Sequence, residues 1–262
     1  MALTRLWPQE ASSMRINRQT ESRQPFSRSV LVTLLLGGLL SCQAYAHDDK
    51  MDSMVIPTLT LDRLEWRAGP GSDVLAWEGA LRIGNDDNAF LWRSKGEQLS
   101  GGTTEKAENQ LLWQHMVSEF FNLHTGFRQD QRPSPTRSYA VIGLDGLAPY
   151  WIETNADLYV SDQGRLSARL ELAHDLAITS RLSLQPALEI NAAADDDLAI
   201  DEGAGVTSSE LGLRLRYAVT PDIAPYIGVH WEQKYGKTAD LARHHGERTA
   251  TTYGLVGISL SF

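Results

Sequence analysis

The sequence contains a single cysteine in 262 residues, and it has no long apolar run beyond residue 46. A helix needs about 20 consecutive apolar residues to cross a bilayer, so the lack of a long apolar run beyond residue 46 excludes a helical membrane protein. Cys42 lies in a segment that we expect to be removed, which leaves a mature chain without disulfides or thiolate metal sites. A sustained helical spacing of apolar residues is also missing.

The amino-terminal region has the features of a secretory signal. Arginines precede the apolar run 30–40, and Ala44, Tyr45 and Ala46 follow it as a small-residue cleavage site. We therefore predict a signal peptide over residues 1–46, with acylation of Cys42 as the alternative. Residues 47–57 are predicted to be a flexible segment containing Met, His and Asp, and residues 58–262 to form an outer-membrane barrel.

Acidic residues outnumber basic residues, 33 to 24. Removal of residues 1–46 takes away five arginines and two glutamates, which leaves a formal charge of −12. This balance argues against a nucleic-acid partner and suits a protein that handles cations, although acidic surface loops alone give the same number.

From residue 62 onward, apolar and polar residues alternate in segments separated by Gly, Pro, Asn and Asp, which is the pattern of β-strands. For example, Leu211 and Leu213 alternate with Glu210 and Arg214. The segments have roughly 9 to 13 residues, which matches a tilted strand that crosses a bilayer and exceeds the strands of a soluble sandwich. The sequence therefore predicts an all-β, transmembrane, antiparallel up-and-down β-barrel of about 12 strands, within a range of 10 to 12. The strands are predicted to begin near residues 62, 74, 89, 108, 120, 138, 151, 166, 182, 207, 223 and 252.

The connections and the carboxyl end also favour a barrel in a membrane. Short turns are predicted on the periplasmic side and longer loops outside, at 96–107, 129–137, 194–206 and 234–251, with short outer exceptions at 68–72 and 162–164. Residues 256–262 place apolar side chains at every second position back from Phe262, as the barrel-assembly machinery requires. Six tryptophans are predicted to form interfacial girdles against outer-membrane lipid, with a soluble core as the alternative: Trp66, Trp77, Trp92, Trp113, Trp151 and Trp231.

Several blocks resemble the outer-membrane copper resistance protein B family over about residues 58–262. They are LDRLE at 61–65, GFRQD at 126–130, the stretch from PYWIE at 149–153 to Glu189, and the stretch from PYIGV at 225–229 to Arg243. The resemblance implies a barrel that contributes to copper tolerance beside a periplasmic multicopper oxidase. Family members usually carry a long Met- and His-rich segment before the barrel, whereas here that region is only 47–56.

Copper binding by a cysteine-free chain depends on Met, His and carboxylate side chains. Cu(I) prefers thioether and imidazole ligands, and Cu(II) prefers imidazole with oxygen ligands. His124 and Met116 are predicted to share the lumen across one turn, and His230 and Glu232 to face the lumen elsewhere. We predict transient copper binding by these residues and by the amino-terminal segment, with a hydrogen-bonded lumen histidine and chance composition as the alternatives. The candidate copper ligands are His124, Met116, His230, Glu232, His47, Met51 and Met54.

Charged residues on the inward phase of the strands are predicted to form ion pairs that fill or narrow the lumen. These residues are Arg63, Glu65, Glu78, Arg82, Arg128, Glu153, Asp157, Arg169, Glu171, Glu189, Glu210, Arg214 and Arg216.

Three classes of function compete. A copper-tolerance barrel that binds or passes copper is favoured by the resemblance, a small-solute porin needs an open lumen, and a barrel enzyme such as a phospholipase needs a Ser–His pair near the outer leaflet. His115 and Ser118 lie instead at a predicted periplasmic turn, so we expect no enzyme and no organic cofactor.

His115 and His174 fall on the lipid-facing phase, and His244 and His245 fall in the last outer loop.

Overall fold

The computed structural model describes residues 55–262, and their strands close into one antiparallel β-barrel. Consecutive strands pair along the chain, and the pairing of the last strand with the first completes the ring. The strands are β1 Ile56–Ala68, β2 Val74–Gly84, β3 Asn88–Leu99, β4 Thr104–Met116, β5 Phe121–Arg132, β6 Arg137–Ala148, β7 Ile152–Ser161, β8 Leu166–His174, β9 Leu176–Ala177, β10 Leu182–Ala193, β11 Gly205–Tyr217, β12 Ile223–Lys234 and β13 Ala250–Ser261. Within this part of the chain, twelve long strands form the ring, because the two-residue β9 continues the line of β8.

The barrel class and the strand count are confirmed, and most strands begin within two residues of the predicted positions. Two predicted loops are wrong, because 96–107 and 129–137 are largely strand and only residues 100–103 and 133–136 connect the strands there. β4 therefore begins at Thr104, four residues earlier than predicted, and β1 begins at Ile56. The residues that extend β3, β4 and β5 are mostly charged or polar, so no apolar alternation marks them. In the extension of β1, Leu59 and Leu61 do alternate with Thr58 and Thr60.

The two ends of the barrel differ in their connections. We call the turn end the one with connections 85–87, 117–120, 149–151, 178–181 and 218–222, and the loop end the one that carries 194–204 and 235–249. The loop 235–249 contains a nine-residue helix, α1 (Gly236–His244), which the sequence pattern did not indicate. No helix within residues 55–262 is long and apolar enough to cross a membrane.

The loop 194–204 is fastened to the barrel wall. Arg137 donates to both carboxylate oxygens of Asp197 at 2.9 and 3.1 Å, and Arg165 pairs with the same carboxylate. Burial alone would raise the pKa of Asp197, but the hydrogen bonds from Arg137 and Arg165 hold it below the ordinary carboxyl value. The loop therefore has a defined position over the end of the lumen.

The two faces of the wall have opposite polarity. Large apolar side chains such as Phe127 (74% exposed), Leu111, Ile227 and Val256 point outward, while charged and polar side chains fill the inside. A predominantly apolar outer surface of this kind is the one that barrels crossing membranes present to lipid. The inside holds one small apolar cluster, which consists of Leu91, Leu112, Tyr139, Val141 and Tyr159.

Two local irregularities interrupt the regular pairing of the strands, and the first places charged residues in the lumen. The register of β1 shifts against both neighbours near Asp62, which brings Glu65 and Arg67 to the buried face while Trp66 points out. The ladder between β10 and the β8–β9 line is interrupted near Pro186, which has no N–H to donate.

Candidate metal-binding lumen

Ion pairs cross the lumen between strands that are not neighbours in the sheet. The ammonium of Lys95 on β3 lies 2.5 Å from a Glu189 oxygen on β10 and 3.1 Å from one of Glu171 on β8. Arg169 on β8 donates two hydrogen bonds to both oxygens of Glu108 on β4, at 3.0 and 2.9 Å. These contacts connect opposite walls and so occupy the interior of the barrel.

Two separate cavities are both lined by three of the crossing residues, Lys95, Glu108 and Arg169, and by Glu78 of β2. We call these four residues the mid-barrel layer. A cavity of about 790 Å³ lies on the loop-end side of the layer, and a second one of about 70 Å³ lies on its other side. The larger cavity reaches the connections at the loop end of the barrel. The mid-barrel layer therefore divides the lumen into a wide outer part and a narrow inner part.

The other predicted members of the network have varied partners. Arg63 pairs with Glu78 at 3.1 Å, and the carboxylate of Glu65 accepts from Arg67 and Arg214 at 2.9 and 2.5 Å. Arg128 pairs with Glu108 and Asp130, and its guanidinium lies over the rings of Tyr139 and Tyr159. Three members near the turn end contribute less to the network: Arg82 bonds Gln114 and the carbonyl of Asn85, Arg216 bonds Ser259 and lies 3.6 Å from Asp175, and Glu153 is exposed.

His124 lies at the turn-end side of the lumen and is completely buried. Its Nδ1 lies 2.8 Å from Asp145 and its Nε2 lies 2.5 Å from Asp157. Tyr159 and Asn155 donate to the second oxygen of Asp157. Since ionised carboxylates only accept hydrogen bonds, both ring nitrogens donate and neither keeps a free lone pair for a metal.

Gly143 makes room for this arrangement. A methyl group at its Cα would lie 2.1 Å from an oxygen of Asp157 and 2.4 Å from Nε2 of His124. Only a residue without a side chain fits between the imidazole and the wall.

The prediction that His124 and Met116 hold copper together is not supported by this arrangement. Gln114, not Met116, lies directly across from His124, as the sequence indicated, and Met116 pairs with Asn122 at the partly exposed end of β4. His124 uses both nitrogens for carboxylates, so the imidazole that a metal would need is already engaged. We interpret His124 as a structural residue.

His230 lies at the loop-end side of the lumen and has the opposite character. It is 2% exposed, and neither ring nitrogen has a hydrogen-bond partner among the described residues. Its Nε2 lies 3.5 Å from Oε2 of Glu210, which is longer than a normal hydrogen bond, and its ring lies beside that of Tyr253. A buried polar group without a partner costs free energy, so this one requires a functional or structural reason.

Next to His230, the ammonium of Lys106 lies among three carboxylates. Its distances are 3.1 Å to Glu210, 3.2 Å to Glu97 and 3.9 Å to Glu232. The carboxylates belong to β3, β11 and β12, so the chain brings together residues that are far apart in sequence. We call His230, Glu210, Glu97, Glu232 and Lys106 the loop-end cluster.

In residues 55–262, no three His, Cys, Asp or Glu side chains are already arranged around one ion position. His230 and Glu210 form a pair of candidate ligands, and Lys106 contacts Glu210 and the two further carboxylates, Glu97 and Glu232. His47, Met51 and Met54 lie outside the described residues, as do the predicted signal peptide and Cys42.

Three further histidines, His115, His174 and His245, have local partners at the surface. His115 stacks on Trp113 and bonds Asn88, and His174 bonds the carbonyl of Trp151. His245 lies 3.5 Å from Asp201 beside α1. Ser118 accepts hydrogen bonds from backbone N–H groups of its own turn, so the structure does not pair it with His115.

The sequence reasoning missed Lys95, Glu97, Lys106 and Glu108, because these residues lay in or beside the segment assigned to an outer loop. The available signal was the spacing of Lys95 and Glu97, and of Lys106 and Glu108, at alternate positions. Continuation of the strand alternation through charged residues would have placed all four in the lumen.

Comparison with solved structures gives small barrels with low sequence identity. The NanC porin is 14% identical with a TM-score of 0.47, and the match covers 77% of this chain and 98% of the porin. The KdgM porin is 12% identical with a TM-score of 0.43, covering 78% and 99%.

Comparison of the sequence gives a more specific result. Residues 55–262 match the family described as "Copper resistance protein B precursor (CopB)". The chain is 41% identical over 216 residues to "Copper resistance protein B" of Escherichia coli, covering 82% of this chain and 71% of that protein. It is also 41% identical to the "Copper resistance protein B homolog" of Pseudomonas syringae pv. tomato, covering 82% and 72%. The chain therefore belongs to the copper resistance protein B family.

Proposed function

We propose that this protein contributes to copper resistance as an outer-membrane barrel that binds copper ions in its lumen, with His230 and Glu210 as the first ligands. Family membership supports the copper-resistance role. The single observation that carries the binding site is the buried imidazole of His230, which lacks hydrogen-bond partners and faces a carboxylate.

The spacing of His230 and Glu210 suits two ligands of one metal ion. First-row ions bind imidazole nitrogen and carboxylate oxygen at about 2.0–2.2 Å, so two such ligands lie roughly 3 Å apart around the ion. The observed 3.5 Å between Nε2 and Oε2 is close to this separation. An imidazole with carboxylates is a ligand set that Cu(II) prefers, and Glu232 is the sequence-predicted residue that would add a further oxygen.

The proposal also includes the orientation of the barrel in the outer membrane and a periplasmic multicopper oxidase as a partner. The loop end faces the outside and the turn end faces the periplasm, in keeping with the usual distribution of long and short connections in bacterial barrels. Copper held in the lumen would then be passed to or kept from the periplasm, where a multicopper oxidase would act on it. The amino-terminal His47, Met51 and Met54 would bind copper weakly on the periplasmic side.

Copper titration of the full-length protein in detergent micelles tests the site. We expect His230→Ala to lose one bound Cu²⁺ per chain, while His174→Ala, at the turn end and bonded only to a carbonyl, keeps the wild-type stoichiometry. A triple variant with His47→Ala, Met51→Leu and Met54→Leu separates binding by the tail from binding in the lumen. Equal copper stoichiometry in the wild type and His230→Ala would reject the lumen site.

A deletion strain grown in graded copper tests the biological role. We expect the strain to stop growing at lower copper than the parent, and expression of the wild-type protein to restore growth. Loss of this difference when the multicopper oxidase is also absent would support a shared route, whereas an additive loss would argue for separate routes.

A small-solute porin is the second candidate, because the loop-end cavity is wide. The mid-barrel layer opposes it, since charged side chains from opposite walls meet there. Single-channel conductance without copper would favour the porin. We do not propose an enzyme, because His115 and Ser118 each bond other groups at the turn end.

A further inference from the structure

We infer that Lys106 is a tethered cation that occupies the carboxylate half of the copper site, and that a divalent ion binds by taking its place. This inference rests on the function proposed above. It adds the reason why the ligands are not assembled in the metal-free barrel, and it names the class of ion that the site accepts.

The ammonium of Lys106 occupies a position where a metal cation could also be bound by carboxylates. Nζ of Lys106 lies 3.1 Å from Glu210 and 3.2 Å from Glu97, and Glu232 approaches to 3.9 Å. An ammonium group is a compact point charge that needs several acceptors, as a metal ion does. Three carboxylates from three different strands therefore already converge on one positive charge.

Glu210 joins this position to His230. One oxygen of its carboxylate accepts from Lys106 at 3.1 Å, and the other lies 3.5 Å from Nε2 of His230. An ion that replaced the ammonium would therefore contact one oxygen of Glu210. The imidazole of His230 would lie next to the other oxygen of the same carboxylate. Rotation of the Glu210 carboxylate or of the His230 ring would bring both groups to the ion, and the imidazole would gain the partner that it lacks.

The local charge favours a divalent ion over the ammonium. The loop-end cluster is bordered by Arg67, which bonds Glu97 at 2.8 Å, and by the Glu65–Arg214 pair. Four carboxylates in this group face three basic side chains, which leaves one net negative charge. Exchange of a singly charged ammonium for a doubly charged ion removes that excess, whereas exchange for Na⁺ or K⁺ does not.

Lys106 is the basic residue of this group that is free to leave. Its side chain is 44% exposed, and it lines the 790 Å³ cavity at the loop end. Arg67 and Arg214 are 4% and 2% exposed; Arg67 pairs with Glu65 and Glu97, and Arg214 pairs with Glu65. The flexible stem of lysine can therefore carry its charge into the water of the cavity without unfolding the wall.

The ligand chemistry sets the class of ion. Carboxylates with one imidazole suit Cu²⁺ or Zn²⁺, whereas Cu⁺ prefers thioether or thiolate sulfur. The loop-end cluster contains neither Met nor Cys. The site therefore takes the divalent, oxidised form of copper.

Two measurements on the full-length protein test the exchange. In the first, the wild type is labelled with a water-soluble amine-acylating reagent with and without Cu²⁺, and each lysine is quantified by mass spectrometry. We expect Cu²⁺ to raise labelling of Lys106 at least threefold and to leave Lys237, which pairs with Asp196 outside the barrel, unchanged. This measurement needs no variant to fold.

In the second, copper affinity is compared between the wild type and Lys106→Gln, which removes the charge and leaves a polar side chain that is one atom shorter. We expect Lys106→Gln to bind Cu²⁺ about tenfold more tightly, and the matched control Lys237→Gln to stay within twofold of the wild type. Addition of His230→Ala to Lys106→Gln should abolish the gain. The heat-dependent shift of a folded barrel in gel electrophoresis checks that each variant is folded.

The outcomes separate the two proposals. Copper binding that depends on His230, with unchanged labelling of Lys106 and equal or weaker binding by Lys106→Gln, would overturn the exchange and leave the proposed function standing. Absence of copper binding in both the wild type and Lys106→Gln would reject both.

Discussion

The barrel buries two histidines in its lumen, and they differ in almost every physical respect. His124, near the turn end, is 0% exposed and has a carboxylate on each ring nitrogen. His230, near the loop end, is 2% exposed and has no hydrogen-bond partner on either nitrogen within the described chain. From the sequence alone they are alike, because both alternate with apolar residues on a strand.

The difference shows that inward phase and burial do not identify a metal ligand. The His124 ring has a carboxylate on each nitrogen, and these contacts stabilise the barrel wall. A metal ion could bind the ring only by breaking one of them. A ring that lacks partners is a site where binding can recover the cost of burial. His124 is thus accounted for by stability, whereas His230 is the residue on which the proposed binding rests.

The strongest test of this contrast is the loss of each imidazole. His124→Ala leaves Asp145 and Asp157 buried without the group between them, and removal of one partner from such a cluster costs about 3–5 kcal/mol. We expect a loss of that size in the free energy of unfolding, measured by urea titration in lipid vesicles with tryptophan fluorescence. His230→Ala breaks no hydrogen bond, and we expect it to cost less than half as much. Equal losses would contradict the contrast.

The mid-barrel layer that separates the two ends can be weakened through Lys95. Lys95→Met leaves Glu189 and Glu171 without their shared ammonium, and an unpaired buried charged group costs about 3 kcal/mol or less. We also expect the ionic conductance in planar bilayers to rise severalfold over the wild type. Lys237→Met, at the exposed outer loop, is the control and should change neither quantity. An unchanged conductance would show that the lumen is closed at another level.

Gly143 tests the packing at the turn end. Gly143→Ala forces a methyl group against Asp157 and His124, and we expect a loss of about 1–3 kcal/mol, as for overpacked cores. Gly101→Ala at the loop end is the matched control, since nothing lies within 4 Å of its added methyl group. Copper binding should be unaffected in both variants. A copper defect in folded Gly143→Ala would mean that the two ends are coupled.

The smallest effect concerns the loop 194–204. The pKa of Asp197 is lowered in the folded protein, so its contribution is present above the ordinary carboxyl value of about 3.9 and is lost as pH falls through the lowered value. We expect proteolysis within the loop to be slow at pH 7 and faster in strong acid. Asp197→Asn should give fast cleavage already at pH 7 and a smaller loss in the free energy of unfolding than His124→Ala, because only the loop is released. Asp195→Asn is the control, and cleavage equal to that of Asp197→Asn would contradict the role of the arginines.

The architecture could be predicted because the membrane and the lumen impose opposite polarity on alternate residues. Leu211, Leu213, Glu210 and Arg214 illustrate the pattern, and the structure places them as predicted. The pattern failed where strands extend into the loop end, since Glu97 and Lys106 have no apolar neighbours in alternation. Side chains there are satisfied by partners across the lumen rather than by lipid.

The candidate site could be predicted only in part. The alternation indicated that His230 and Glu232 face inward, but it gave no information on what lies opposite them. Lys106 and Glu210 meet across the barrel although 104 positions separate them in sequence. Likewise, the engagement of His124 depends on Asp145 and Asp157, which belong to two later strands. Such contacts follow from closure of the ring and are invisible to local patterns.

The seam between β1 and β13 has a consequence for biogenesis. Leu59 and Phe262 exchange two backbone hydrogen bonds of 2.8 Å, so the first strand of the ring finds its second neighbour only in the strand that is translated after all the others. Until that partner arrives, one edge of the sheet stays unsatisfied, and such edges invite aggregation. The open edge therefore has to be protected from premature association until the cylinder is sealed.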